Sequence, residues 1–174
     1  IKEYTIGILN YLALFSIWWT PFLLFGILLR LKVRPFLAVL GAMGILFLNP
    51  QVFRLLAHFS LSYSCAIPLT IYLLIRVKEG IKAGKWTLLL GLSNLIWLYI
   101  HPYLGLCCCL LTGSIWFFHW LWKFKTLTKS YSNFLFPILS TGLPIFIFKL
   151  VVKLTDTHLA KTENVYGFFN YCGA

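Results

Sequence analysis

The residues with the most chemical potential fall in one stretch, NPQVFRLLAH, at positions 49–58. Asn49, Gln51, Arg54 and His58 are polar there, and the stretch contains no acidic residue. Arg54 and His58 are spaced i, i+4, so a helix would present both side chains on one face. Cationic donors without a carboxylate partner favour an anion, above all a phosphate, over a cation pathway. The alternative is an arginine that extends to lipid headgroups beside a hydrogen-bonded histidine.

Four further polar side chains are candidates for the same site. His101 and Tyr103 flank a proline in IHPY. His101 could contact a ligand, shuttle a proton near neutral pH, or cap the helix end before the proline. Lys149 and Lys153 form an i, i+4 pair near the end of the last apolar run, where they could bind phosphate or reach anionic headgroups. The eight residues together form our candidate substrate-binding set.

Composition determines which elements must position these residues. The chain has 174 residues, of which 60% are hydrophobic and 11% are charged, whereas a soluble domain has about a quarter charged residues. The net charge is +11, but the basic residues fall in short clusters between apolar runs, so we do not expect nucleic acid as a partner. Composition therefore predicts an integral membrane protein whose principal partner is the lipid bilayer.

The apolar runs predict an all-α fold, a polytopic transmembrane helix bundle of about six spans. Backbone polar groups in lipid must be satisfied within each segment, which requires helices. The predicted spans are 5–29, 36–48, 59–75, 86–100, 104–122 and 134–152. We expect the bundle to occupy residues 1–153 and an outer loop to begin over 154–174. We also expect the chain to be a fragment of a longer protein.

Three clusters of Lys and Arg orient these spans in a cytoplasmic (inner) membrane. Cytoplasmic loops are enriched in basic residues, so segments 30–34, 76–85 and 123–129 are predicted to be cytoplasmic. The same alternation places the turn at 49–58, the turn at 101–103 and residues 154–174 outside.

Two of the predicted spans, 36–48 and 86–100, are too short for a hydrocarbon core about 30 Å thick. Both stop at a polar residue followed by proline, Asn49 and His101, because proline biases the preceding residue away from helical geometry. We therefore expect both spans to end in polar turns recessed below the outer surface.

The remaining polar residues predict packing rather than catalysis. Asn94 lies near the middle of the fourth span and is expected to form an interhelical hydrogen bond. Cys107, Cys108 and Cys109 are consecutive and are expected to pack as small apolar residues. The sequence contains no nucleophile elbow, P-loop or zinc-protease motif. No catalytic residue and no cofactor are identified, although a divalent metal ion is left open.

Three segments carry a family resemblance: LNPQVFRLLAHFSLSYSCAIPLTIYLLIR (48–76), IHPYLGL (100–106) and DTHLAKTENVYGFFNY (156–171). They resemble segments of large bacterial membrane proteins that look like members of the GT-C superfamily of polytopic glycosyltransferases. The resemblance implies a sugar donor linked to polyprenyl phosphate at the outer leaflet, with the turns at 49–58 and 101–103 lining the donor or acceptor cavity. It also implies a catalytic acid in a large outer loop that residues 1–174 do not supply, so we expect this chain alone to be inactive.

Three other functions stay open at the level of sequence. Broken helices with polar groups at mid-membrane suit a transporter or flippase. An acyltransferase using His101 would need only that histidine and an acyl donor. A non-enzymatic subunit of a membrane assembly would require no catalytic group.

Overall fold

The computed structural model describes residues 2–50, 63–122 and 132–155, which are almost entirely helical and contain no strand. The helices are α1 (Lys2–Arg30), α2 (Pro35–Leu48), α3 (Ala66–Lys78), α4 (Ala83–Ile100), α5 (Pro102–Trp122), α6 (Ser132–Pro137) and α7 (Leu143–Thr155). A π-helical turn, Ile138–Gly142, joins α6 to α7. The prediction of an all-α fold is confirmed for these residues.

Successive helices alternate in direction, which creates two chemically different ends. At one end, Arg30 at the end of α1 bonds to Glu79 just after α3. At the other, Tyr63 before α3 packs on Trp97 near the end of α4, with ring centroids 5.7 Å apart. We call the first the basic end, defined by residues 30–34 and 76–85.

We call the opposite end the polar end, defined by residues 49–50, 63–64 and 101–103. The last helix also reaches it. Phe148 in α7 packs edge-on against Tyr99 of α4, with ring centroids 5.4 Å apart. The middle of α7 therefore lies beside the final turn of α4.

Several predicted boundaries match the structure, but the start of the third span is wrong. As expected, α2 ends before Asn49 and α4 ends before His101. The predicted span 59–75 would have put Tyr63–Cys65 in a helix, whereas α3 begins at Ala66 after a turn. The Cys65 N–H donates to the Ser16 hydroxyl of α1 at 2.9 Å, so a tertiary contact determines where this helix starts.

The last predicted span is interrupted by the π turn, and two prolines explain why. Pro144 has no N–H, so the carbonyl of Ser140, four residues earlier, has no intrahelical donor. That carbonyl instead accepts a hydrogen bond from Asn94 Nδ2 of α4 at 2.8 Å. Pro137 removes a second donor just before the turn. The interruption is therefore stabilised by a contact with a neighbouring helix.

Among the described residues, three helical stretches are long and apolar enough to cross a membrane: Asn10–Arg30, Pro102–Trp122 and Phe134–Thr155. Large apolar side chains cover the outside of the bundle, including Trp18, Phe36 and Phe117. The interior, by contrast, is rich in small and hydroxyl-bearing residues. The fully or nearly fully buried ones are Ala13, Ser16, Thr20, Ser64, Thr70, Thr87, Cys108 and Thr112. This arrangement is compatible with a membrane protein.

Candidate functional site

A cleft of about 500 Å³ opens at the polar end between α2 and α3. Most of its wall is apolar, and Asn49 and Ser64 supply polar groups. The residues that define it are Leu24, Ile45, Asn49, Pro50, Ser64 and Ile67. We call it the polar-end cleft.

Local sequence rules place Asn49 on the edge of this cleft. Pro50 disfavours helical geometry in the residue before it, and Asn49 is extended, with φ −71° and ψ 119°. Its backbone N–H turns back to the carbonyl of Leu46 at 3.2 Å. The helix therefore ends with the Asn49 side chain at the edge, half-buried.

Ser64 is held on the opposite side of the cleft by α1. The Thr20 hydroxyl donates to the carbonyl of Ser16 at 2.7 Å. Its single hydrogen is thereby used, so the 2.8 Å bond between Thr20 and Ser64 has Ser64 as the donor. Sequence reasoning missed this network, although Ser16 and Thr20 at i, i+4 in an apolar run were a visible signal.

His101 is the N-cap of α5. Its backbone is extended, with φ −151° and ψ 103°, and Pro102 is the first residue of the helix. The Leu104 N–H donates to His101 Nδ1 at 3.4 Å. The His101 and Tyr103 rings lie 5.8 Å apart. The sequence left open that His101 caps the helix end before the proline. In the structure His101 is a cap, but of the start of the following helix, α5.

The protonation of His101 is coupled to this cap. Burial lowers the pKa of His101 below its ordinary value, and a backbone hydrogen bond partly opposes that shift. The neutral imidazole is the form that can accept the N–H of Leu104. The structure therefore favours the neutral histidine.

The other predicted site residues are distributed less closely. Lys149 and Lys153 are exposed on α7, which packs against α4 and the π turn. Gln51, Arg54 and His58 lie outside the described residues. The predicted basic loop at 123–129 and residues 156–174 also lie outside them. Whether all eight candidates form a single site stays a prediction.

A second polar cluster lies at mid-bundle around Asn94, which is 0% exposed. Asn94 Nδ2 donates to the Ser140 carbonyl at 2.8 Å and to Thr112 Oγ1 at 3.3 Å. Trp116 Nε1 donates to Ser140 Oγ at 3.0 Å. The predicted interhelical hydrogen bond of Asn94 is confirmed. The role of Ser140 was missed, and Pro144 four residues later was its signal.

A third cluster, at the basic end, was also missed. Glu79 accepts hydrogen bonds from Arg30 Nε at 3.0 Å and from Arg76 Nη1 at 2.7 Å. The two guanidinium groups lie over the rings of Tyr72 and Trp86, 4.6 and 4.5 Å from the ring centroids. A single acid within a basic cluster was the sequence signal for this arrangement.

The cysteines behave only partly as predicted. Cys108 and Cys109 are buried and pack in the bundle, whereas Cys107 is exposed. Within residues 2–50, 63–122 and 132–155, no group of three or more His, Cys, Asp or Glu side chains could hold a metal ion.

Comparison with known proteins adds no relative. No family model matches the chain, and neither the curated proteins nor the solved structures contain a match. The class that the fold itself defines is a helical protein with three helices long and apolar enough to cross a membrane.

Proposed function

We propose that this chain is the central membrane part of a GT-C-like glycosyltransferase that uses a polyprenyl-phosphate-linked sugar. In this proposal about six helices span a cytoplasmic membrane, with the basic end inside and the polar end outside. The polar-end cleft holds the isoprenoid segment nearest the phosphate. No catalytic acid is assigned within the chain.

The observation that supports this proposal is the chemical gradient of the polar-end cleft. Its apolar wall, formed by residues such as Leu24, Ile45 and Ile67, ends at the polar groups of Asn49 and Ser64. A polyprenyl phosphate has the same gradient, with a hydrocarbon chain ending in an anion. In a bilayer this chain is already out of water, so the advantage of the cleft is close van der Waals contact with it rather than the hydrophobic effect. An apolar wall of this kind gives no such advantage to a water-soluble nucleotide sugar.

The phosphate part of the proposal depends on the basic residues that the sequence predicted for this site. The chain leaves α2 at Pro50 and returns at Tyr63, and the sequence between them carries Arg54 and His58. Lys153 lies on α7 about one turn beyond Phe148, which packs on Tyr99 in the final turn of α4. Arginine and lysine are the side chains that most often hold phosphate oxygens.

A larger side chain placed in the cleft tests the proposal that the cleft binds the hydrocarbon chain of the carrier. Ile67 lines the cleft and is 38% exposed, whereas Ile96 is 46% exposed on α4 and does not line it. Ile67→Trp should weaken polyprenyl phosphate binding to the full-length protein about tenfold, because the indole occupies the chain's place. Ile96→Trp should bind normally. Native mass spectrometry in detergent would measure both, and equal binding by the two variants would contradict the proposal.

Removing single cations tests the phosphate part. Arg54→Ala and Lys153→Ala in the full-length protein should each reduce binding of polyprenyl phosphate more than binding of the uncharged polyprenol. Unchanged binding of polyprenyl phosphate in both variants would contradict the proposed anion site, and the proposal would be reduced to a cleft for the hydrocarbon chain.

A transporter or flippase is the second candidate, favoured by the interrupted last helix. The π turn at Ile138–Gly142 faces the buried amide of Asn94, and discontinuous helices with polar groups at mid-membrane occur at transporter sites. Substrate uptake into proteoliposomes, abolished by Asn94→Leu, would support this candidate over the glycosyltransferase.

A further inference from the structure

The basic end carries far more positive than negative charge. Within segments 30–34 and 76–85, Glu79 is the one acidic residue. The seven basic residues of these segments are Arg30, Lys32, Arg34, Arg76, Lys78, Lys82 and Lys85. All of them lie at the same end of the bundle, because α1 and α3 end there and α2 and α4 begin there.

The Glu79 carboxylate forms ion pairs with two arginines. One carboxylate oxygen accepts from Arg30 and the other from Arg76. Both guanidinium groups also lie over aromatic rings, those of Tyr72 and Trp86. Glu79 therefore fixes these two arginines, and it forms no ion pair with the surrounding lysines within the described residues.

The remaining five cations face outward. Their side chains are exposed, and no ion pair to them occurs in the part of the chain that the structure describes. These residues are Lys32, Arg34, Lys78, Lys82 and Lys85. Like charges grouped on one surface repel one another and attract anions.

Two helix N-termini at the basic end add to its attraction for anions. α2 and α4 begin with Arg34 and Lys82 as their N-caps, and neither cap forms a side-chain hydrogen bond. Neither helix has an acidic residue in its first turn. Free N–H groups at a helix start favour negative charge, so cationic caps at both starts are opposite to the usual preference. An external anion would satisfy both the N–H groups and the cations.

Large apolar side chains alternate with these cations on the same surface. Leu31, Phe36 and Ile81 are exposed. Leu31 and Ile81 directly precede Lys32 and Lys82, and Phe36 lies two residues after Arg34. A free phosphate ion would leave these apolar groups in water. A phospholipid would cover them with its acyl chains while its phosphate met the cations.

We propose that the basic end is a binding surface for anionic phospholipids, with headgroups of the phosphatidylglycerol type. The inference rests on the membrane setting of the proposed function and is independent of the polyprenyl carrier. Loss of carrier binding at the polar end would therefore leave it intact.

Lipid titration of the full-length protein tests the surface. Native mass spectrometry in detergent would compare phosphatidylglycerol with phosphatidylcholine of the same acyl chains. We expect phosphatidylglycerol to bind about tenfold more tightly, with an affinity that falls as salt rises. Inorganic phosphate at equal concentration should displace little lipid. Equal affinity for the two lipids, or displacement by inorganic phosphate, would contradict the inference.

Charge variants locate the binding at these residues. The neutral variant combines Lys32→Asn, Lys78→Gln, Lys82→Asn and Lys85→Gln. Asparagine suits positions 32 and 82 because both have positive φ, 62° and 55°. The control variant places arginine at the same four positions and keeps every charge.

The neutral variant should lose the preference for phosphatidylglycerol, and the control should retain it. A neutral variant that keeps the preference would overturn the assignment. If the neutral variant fails to fold, the salt dependence of the wild-type protein still decides, because a purely apolar contact would not weaken with salt.

Discussion

His101 couples the start of α5 to pH. Only the neutral imidazole accepts the Leu104 N–H, and burial lowers the pKa of His101 in the folded protein. The folded state therefore binds this proton less readily than the unfolded state, whose histidine pKa is about 6.5. The stabilisation is fully present above about pH 6.5 and is lost as the pH falls below it. Thermal unfolding midpoints in detergent between pH 8 and pH 5 should show this decline.

A variant at the same position isolates the histidine's contribution to that decline. Asparagine is a favoured N-cap and does not titrate. His101→Asn should therefore keep the stability of the wild-type protein at pH 8 and lose the part of the pH dependence due to His101. An identical pH profile in both proteins would assign the effect to other groups.

Among the buried polar residues that the structure describes, we expect the replacement of Asn94 to reduce the free energy of unfolding the most. Asn94→Leu keeps a similar volume but removes the bonds to Ser140 and Thr112, leaving the Ser140 carbonyl without its donor. We expect a loss of about 1–2 kcal/mol in the free energy of unfolding. Ile96→Ala, on the exposed face of the same helix, should change it by less than about 0.5 kcal/mol. Equilibrium unfolding in mixed micelles would measure both.

Helix α4 and the π turn approach closely because Gly91 has no side chain. A Cβ at position 91 would collide with the backbone carbonyl oxygen of Leu139, whereas one at Gly44 of α2 would meet nothing. Gly91→Ala should lower the free energy of unfolding by about 1–3 kcal/mol, because backbone atoms must move. Gly44→Ala should raise it by up to about 1 kcal/mol through helix propensity. The same unfolding measurement checks the pair, and a stabilised Gly91→Ala protein would contradict the packing.

The element boundaries that sequence predicted are those that depend on neighbouring residues alone. Proline acts on the residue before it, so the ends of α2 and α4 at Asn49 and His101 could be predicted. The start of α3 was missed although Pro68, in its first turn, was a local signal, and the bond from Cys65 to Ser16 of another helix adds a contact that is not local. The π turn is likewise stabilised from outside, by Asn94.

The candidate sites divide in the same way. The polar turns at Asn49 and His101 followed from the sequence, since a break in an apolar run is a local signal. The cleft between α2 and α3 did not, because its far edge is Ser64, which bonds to Thr20. The i, i+4 spacing of Ser16 and Thr20 marks one side of this contact, but nothing in the sequence identifies Ser64 as the partner.

Across the whole molecule, polarity is distributed opposite to that of a water-soluble bundle. Many large apolar residues face outward, while the interior combines leucines and aromatic rings with many hydroxyls and small side chains. In lipid the hydrophobic effect does not drive helices together, so close packing and interhelical hydrogen bonds must supply the stability. The contacts of Gly91, Asn94 and Thr20 are examples of both. The few charged contacts at the ends of the bundle should then add a smaller, salt-dependent contribution.

Glu79 provides the test of that last contribution, since its two ion pairs tie α1 to the end of α3. The side chains of Arg30, Arg76 and Glu79 are 26%, 24% and 32% exposed, so water and salt partly screen the pairs. Glu79→Gln should lower the free energy of unfolding by about 1 kcal/mol at low salt and by less at high salt. Arg34→Gln, at an exposed cation with no ion pair among the described residues, should not destabilise the protein. A loss at Glu79 that is the same at about 0.05 M and about 1 M salt, a difference of about 20-fold in ionic strength, would mean that packing rather than charge holds this end together.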